Sequence, residues 1–304
     1  MSLFLGIDTS NYTTSVAVCG SREADLRKII DIEKGQRGIR QSDGVFVHMK
    51  ELPELFGKLD IDMGDIKAVG VSSKPRNQGN SYMPVFTVCE SFAKVIAKTL
   101  GVPLFTTSHQ DGHIMAGIIS CGKPELLKQE FTAVHLSGGT TEILSCRYGN
   151  GSFNPKIVGG TKDISAGQLV DRLGVMFGMK FPCGKELDAL SLTADRSIKL
   201  KTSVKNGFMN FSGIETKLIK LAETEDNAVI ARSALEFIGD SINGALSELK
   251  PQNVLFVGGV ASNTILRRKF ENGKYNAYFA ENGLSSDNAV GVCHIAKMLY
   301  EEMK

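Results

Sequence analysis

Residues 5–18 read LGIDTSNYTTSVAV, and residues 134–146 read VHLSGGTTEILSC. Each is an apolar, β-prone run, a short polar turn and a second β-prone run, which is the pattern of a hairpin. In the first, 3–7 and 15–18 are the strands around Asp8-Thr9-Ser10-Asn11-Tyr12-Thr13-Thr14. In the second, 131–136 and 141–146 pair through a sharp turn at Gly138-Gly139. Helices and further strands follow each hairpin. This internal echo predicts an α/β protein of two similar lobes with a cleft between them.

Working outward, 68–71 reads as a buried strand and 102–106 as another. The stretch 85–100 has helical spacing, with Val88, Phe92, Val95 and Ile96 on one face and Gly101 as the stop. Helices are expected over 164–177, 185–192, 228–249, 263–270 and 286–303. A buried strand over 253–257 runs into Gly258-Gly259. No Pro/Ser-rich linker separates the halves, so the boundary is placed near 101–110. That gives an N-terminal lobe of 1–105 and a C-terminal lobe of 106–304, with the last helix free to pack back on the first lobe.

The composition bounds the function. A chain of 304 residues exceeds the size at which one core usually divides. Lys+Arg is 35 and Asp+Glu is 33, for a net charge of +2, so a globally basic nucleic-acid binder is excluded while a local patch is not. Such a patch is offered by the run from Arg196 to Lys205, which has four basic residues and no acid; a solvated loop is its other reading. The N-terminus has no basic, long-apolar leader, and no run is long enough to span a bilayer. Six scattered cysteines without a CxxC pair imply neither a zinc ribbon nor a disulfide framework, and the expectation is a cytoplasmic protein with reduced thiols.

Three groups of residues carry chemistry. The first is His109-Gln110-Asp111-Gly112-His113. On a helix, i and i+4 share a face, which suits two imidazoles on one metal ion. Such a pair needs another ligand, commonly a carboxylate from elsewhere. Without one it is two polar residues on a solvated face. The second is the set of glycine-polar turns, Ser137-Gly138-Gly139 after Leu136 and Gly258-Gly259 leading through Asn263 into a helix; each alone reads as a plain tight turn, and with Asp8-Thr9-Ser10 as a third they predict a shared phosphate cleft. Glycine lets backbone approach phosphate, and a helix N-terminus favours an anion. The third is acidic. Asp171 and Asp188 suit a ribose hydroxyl, or are ordinary helix carboxylates. Asp287, within Ser285-Ser286-Asp287-Asn288, reads as an N-cap, and an acid at a helix start is also well placed to hold a metal.

Taken in order, DTS, HxxxH, SGG, GxxxD, PxGxE, FSGIETK, GGVASN and SDNA resemble the TsaD family of tRNA threonylcarbamoyl transferases, once called O-sialoglycoprotein endopeptidases. The resemblance runs over essentially the whole chain. It implies the two-lobed actin/Hsp70/sugar-kinase fold and transfer of threonylcarbamoyl from its adenylate to N6 of adenosine 37 in certain tRNAs. Carried over by motif, His109, His113 and Asp287 would bind one divalent metal, iron or zinc. Residues His135, Leu136, Ser137, Gly138 and Gly139 would meet the phosphate or carbamoyl part of the adenylate. Asp171, Gly184 and Asn263 would hold the nucleoside, and Asp188 the ribose. Companion proteins similar to TsaB and TsaE would be partners.

Three departures mark a divergent paralogue. The opening motif, normally like ETSCDET, loses its acidic pair. The SGG motif is normally followed by His-Thr, and here by Thr140-Thr141. The GPG-x-x-G-S-L segment is replaced by Lys74-Pro75-Arg76-Asn77-Gln78-Gly79-Asn80-Ser81-Tyr82. Two further readings stand beside the transferase: a non-catalytic nucleotide-binding module acting through a partner, and a superfamily ATPase or kinase, in which HxxxH has no role.

Overall fold

A computed structural model describes residues 2–10, 12–31, 39–77, 81–271, 273–281, 283–284 and 287–304. Asn11 of the first turn, 78–80 of the departing loop and Ser285-Ser286 lie outside the described residues.

Both expected hairpins form. Strand β1 (Leu3–Ser10) pairs antiparallel with β2 (Thr13–Gly20), so Asp8, Thr9 and Ser10 extend the strand, and the turn is tighter than the polar run suggests. Then come β3 (Ala24–Ile29), α1 (Gln41–Phe56), β4 (Ile66–Lys74), α2 (Phe86–Leu100) and β5 (Leu104–Ser108). The first sheet runs β3-β2-β1-β4-β5, antiparallel through β1 and parallel beyond it.

Helix α3 (His109–Ser120) leads to the second set: β6 (Phe131–Leu136), β7 (Thr141–Cys146) and β8 (Lys156–Thr161), then α4 (Ala166–Met176) and α5 (Gly184–Leu192). There follow β9 (Val204–Lys205), β10 (Phe208–Met209), α6 (Ser212–Leu221), α7 (Asn227–Leu249), β11 (Asn253–Val257), α8 (Thr264–Glu271), β12 (Asn276–Phe279) and α9 (Val290–Glu302). The order β8-β7-β6-β11-β12 repeats that of the first sheet: a three-strand meander with two parallel strands added beside its first strand. The sequence echo is thus two copies of one topology.

Burial explains the strands. Every residue of β6 is buried, because its sheet is covered on both faces. One apolar core joins β6, β7 and β11 to α4 and α7, and another joins the first sheet to α1 and α2. Helix α2 stops at Gly101, in the left-handed region at φ 67°. Its buried face is Val88, Cys89, Ala93 and Ala97; Val95, expected on that face, is 66% exposed.

Helix α9 returns to lie against β1, β2 and β4 of the first sheet and against α3. The approach is backbone to backbone: a Cβ on Gly291 would sit 1.9 Å from the Gly112 carbonyl oxygen of α3. The Cys293 thiol donates to the Phe4 carbonyl at 3.1 Å and touches Cys19. The helix therefore ties the segment just before it, which holds Asp287, to α3 and the first sheet. Among the described residues no helix is long and apolar enough to cross a membrane.

Candidate metal and nucleotide site

The end of β5 sets the first half of the site. Ser108 caps α3 by accepting from the Asp111 N–H, so the helix starts at His109 with its first turn fixed. His109 and His113 then fall on one face, with ring centroids 4.4 Å apart. The carboxylate of Asp287 arrives from before α9. Its Oδ1 lies 3.0 Å from His113 Nε2 and 3.5 Å from His109 Nε2. One ligand atom from each of the three residues lies within 4.8 Å of the others. Ser10, at the end of β1, donates to Asp287 Oδ2 at 2.8 Å.

Asp287 is not the cap of α9. That position is Ala289, and Asn288, one residue before it, accepts from the Val290 N–H through Oδ1 at 2.9 Å. The Asp287 side chain is left free to turn to the histidines.

Outside the three lies Asp8, fully buried, with Oδ2 2.8 Å from His109 Nδ1. A carboxylate on the far nitrogen of an imidazole fixes the ring's tautomer and orientation. Electrostatics follow the geometry. Burial pushes the His109 imidazole down, but the charges of Asp8 and Asp287 outweigh it and hold the group up at about 10. Burial would raise Asp287, but hydrogen bonds from His109 and His113 hold it well below the ordinary carboxylate range. The metal-free cluster is an aspartate–imidazolium–aspartate arrangement.

His135 of β6 completes the wall, its ring 5.1 Å from that of His113. It is buried, and neither ring nitrogen has a partner among the described residues. Burial first, then the neighbouring positive groups, keep it neutral, well below its ordinary value. Buried unpaired nitrogens are costly, which marks a place where a ligand completes the hydrogen bonding. His113 Nδ1 is unpaired as well.

After β6 the turn Ser137–Thr140 closes on itself: Ser137 N–H donates to the Thr140 carbonyl at 2.9 Å, and Thr140 N–H to Ser137 Oγ at 3.1 Å. Gly138 and Gly139 are exposed, and a Cβ on either would meet nothing. Gly258 holds φ at +94°, and a Cβ there would lie 2.3 Å from the Leu136 carbonyl oxygen, so the two glycine turns are in direct contact.

The acids expected to hold a nucleoside have protein partners. Asp188 of α5 accepts from Asn263 Nδ2 at 2.7 Å and from Thr264 Oγ1 at 2.9 Å. Asn263 in turn caps α8 through Ile265 N–H at 3.0 Å. Asp171 of α4, raised by burial, accepts from the Cys183 N–H at 2.8 Å and so holds the chain entering Gly184 and α5. Both acids thus shape the surface around α5 and α8. The basic run is partly compensated: Arg196 pairs with Glu225, while Lys199, Lys201 and Lys205 are exposed.

Four residues at the site were not connected with the metal or its histidines in the sequence reading: Asp8, Arg76, Gln110 and Glu142. Asp8 was read only with the turn Asp8-Thr9-Ser10, and an acid within a wholly buried strand is the signal that could have found it. The other three are polar residues with no spacing rule; only the lobe packing brings them together.

The family model described as TsaD, tRNA N6-adenosine threonylcarbamoyltransferase, matches residues 47–292. The tRNA N6-adenosine threonylcarbamoyltransferase of Riemerella anatipestifer is 26% identical over 99% of this chain and 93% of its own length. That of Mycoplasmopsis synoviae is 28% identical over 97% of this chain and 98% of its own. Among solved structures, HypF of T. kodakarensis superposes with a TM-score of 0.63 at 15% identity, over 99% of this chain; the chain spans about half of HypF, 48%. A ROK family glucokinase from Streptomyces griseus superposes at 0.51 with 12% identity, over 98% of this chain and all of that one. At such identities these two speak for the fold, a two-lobed α/β architecture of the sugar-kinase type. The family match covers most of the chain, including both histidines, Asp287 and the SGG turn, and the chain belongs to the TsaD family of tRNA N6-adenosine threonylcarbamoyltransferases.

Proposed function

We propose that this chain transfers a threonylcarbamoyl group from its adenylate to N6 of adenosine 37 in tRNA, using one divalent ion held by His109, His113 and Asp287. The observation that carries the reading is the convergence of two imidazoles and one carboxylate, with Asp8 behind His109. Two nitrogens and one oxygen suit zinc or iron. The unpaired His113 and His135 nitrogens support a ligand in the same place. When bound, the ion supplies a Lewis acid and a template for the donor.

The chain's own groups supply the rest. The donor's phosphate lies against the open Ser137–Gly139 turn and the Gly258-Gly259 turn. Its nucleoside lies between α5 and α8, near Asp171, Gly184, Asp188 and Asn263. N6 attacks the carbamoyl carbon, the bond from that carbon to the phosphate oxygen breaks, AMP leaves, and N6 loses a proton. Backbone N–H groups at the turn stabilise the charge that moves onto the leaving phosphate. The cleft lies between lobes of 1–105 and 106–304, and the run from Arg196 to Lys205 gives tRNA a phosphate contact. TsaB-like and TsaE-like companions complete the reaction, in the cytoplasm.

The test supplies purified protein with threonylcarbamoyl-adenylate and a tRNA transcript, with and without those companions, and follows labelled threonine into RNA. Wild type with zinc or iron should label the transcript, and His113→Ala and Asp287→Asn should lower the rate by at least a hundredfold. Unchanged labelling in both variants, or none in the wild type under every metal and companion condition, would overturn the reading.

A further inference from the structure

Two of the departures from the family pattern meet in space. Arg76 belongs to the loop that stands where the family has its GPG segment, and Thr140 stands where it has histidine. Arg76 Nη2 donates to Thr140 Oγ1 at 3.1 Å. Its Nη1 lies 2.7 Å from Glu142 Oε1, and Glu142 Oε2 accepts from Gln110 Nε2 at 3.0 Å. Gln110 follows His109 directly, and Glu142 is the cross-strand partner of His135. The guanidinium, carried by the loop after β4 of the first sheet, is thus fixed beside the SGG turn of the second.

Hydrogen bonds on both sides of Arg76 tie the arm down. Pro75 carbonyl accepts from the Gln110 N–H at 3.0 Å, and Arg76 N–H donates to Ser81 Oγ at 3.1 Å. Asn77 bonds to Asp111 and, at 2.7 Å, to Ser152 Oγ. Yet the Arg76 head keeps 31% of its side-chain surface open, whereas Glu142 keeps 12%. An arginine presents five N–H donors in a planar fork, and two partners leave donors free. Beside it, Gly138 and Gly139 are exposed and their N–H groups have no hydrogen-bond partner among the described residues.

We propose that Arg76, fixed beside the Gly138-Gly139 turn, binds the phosphate of the acyl-adenylate and serves this chain as a specificity residue for it. The inference rests on the adenylate reading above and adds the residue that recognises the anion. Glu142 is the internal competitor: it positions the fork and offsets its charge when no phosphate is present.

The opposed effects of two neutralising variants separate this from a purely structural latch. AMP and adenosine are titrated calorimetrically into the full-length, zinc-loaded protein, the difference reporting the phosphate contact. Wild type should bind AMP more tightly than adenosine. Arg76→Gln should weaken AMP by about tenfold to a hundredfold, the range for a charge-assisted hydrogen bond, and leave adenosine unchanged. Glu142→Gln should tighten AMP several-fold by removing the competing carboxylate, and it carries the test alone if Arg76→Gln does not fold. Arg76→Lys should recover only part of the loss, because an ammonium lacks the fork. If both neutralising variants weaken AMP and adenosine together, Arg76 is a latch between lobes and the proposal falls. If Arg76→Gln binds AMP as wild type does, it falls while the adenylate reading stands. If wild type prefers AMP to adenosine in no condition, both fall.

Discussion

Metal uptake by the triad should release one proton, and Asp8→Asn should reduce that release. In the metal-free site His109 is a cation gripped from both sides, by Asp8 at 2.8 Å on Nδ1 and by Asp287 at 3.5 Å on Nε2. With the group held up at about 10 against burial, the ring carries its proton at pH 7. A metal ion can use Nε2 only once that nitrogen has lost its proton. Apparent affinity should therefore rise about tenfold per pH unit between roughly pH 7 and 9, with one proton released per ion. Asp8 is the largest influence holding the imidazole up. Asparagine in its place lets burial pull the group back toward its ordinary value, so fewer protons leave at pH 7 and the pH dependence flattens. The same change removes the carboxylate that orients the ring, which should weaken metal binding by about tenfold to a hundredfold. Calorimetric zinc titrations at pH 7 and 8, each in two buffers of different ionisation enthalpy, give both affinity and proton count. Wild type should release about one proton and Asp8→Asn less than half of one. A wild-type affinity that does not change with pH, with no proton released, would show that the buried imidazolium is not there and refute the reasoning.

Three other substitutions test burial and packing. His135 is held neutral, well below its ordinary 6.5, so the unfolded chain takes up a proton there before the folded one does as pH falls. Its contribution is present above pH 6.5 and is lost as pH drops, with a slope of about 1.4 kcal/mol per pH unit; His135→Gln should flatten the denaturant-measured stability of metal-free protein between about pH 6.5 and 5 by that slope. Gly291→Ala puts a Cβ 1.9 Å from the Gly112 carbonyl oxygen, so α9 must move off α3, at a cost of about 3 kcal/mol or more in urea unfolding and with loss of zinc affinity through Asp287. Gly138→Ala, where a Cβ meets nothing, should change stability by less than about 0.5 kcal/mol.

What could be read from the chain depended on whether its polar residues lay outside the core. The hairpins over Leu3–Gly20 and Phe131–Cys146 were legible because apolar runs flank polar turns, and α7 because its buried face is apolar. Helix α1 was not. Its buried residues are Gly44, His48, Glu51, Leu52 and Leu55, and Pro53 lies inside it, so the apolar period is masked. Tertiary context explains that face: Thr14 of β2 bonds to His48 at 2.8 Å and to Glu51 at 3.0 Å. Strand β3 lies at the edge of its sheet, partly exposed and half charged, and short β12 ends the other sheet; neither alternates. Val95 was misplaced because the covered face of α2 centres on Cys89, Ala93 and Ala97, rotated round the helix from the stripe of Val88, Phe92, Val95 and Ile96.

The site divides in the same way. The i, i+4 spacing on α3 determined by itself that His109 and His113 share a face, since 3.6 residues per turn requires it. The collinear motifs marked the family. Spacing could not bring Asp287, 174 residues beyond His113, to the same point, nor put Asp8 behind His109 or Arg76 beside Thr140. Those depend on α9 lying backbone to backbone on α3 and on the first sheet's loops reaching the second. Local periodicity is a property of consecutive residues; a charge cluster drawn from three distant segments exists only once the core has packed.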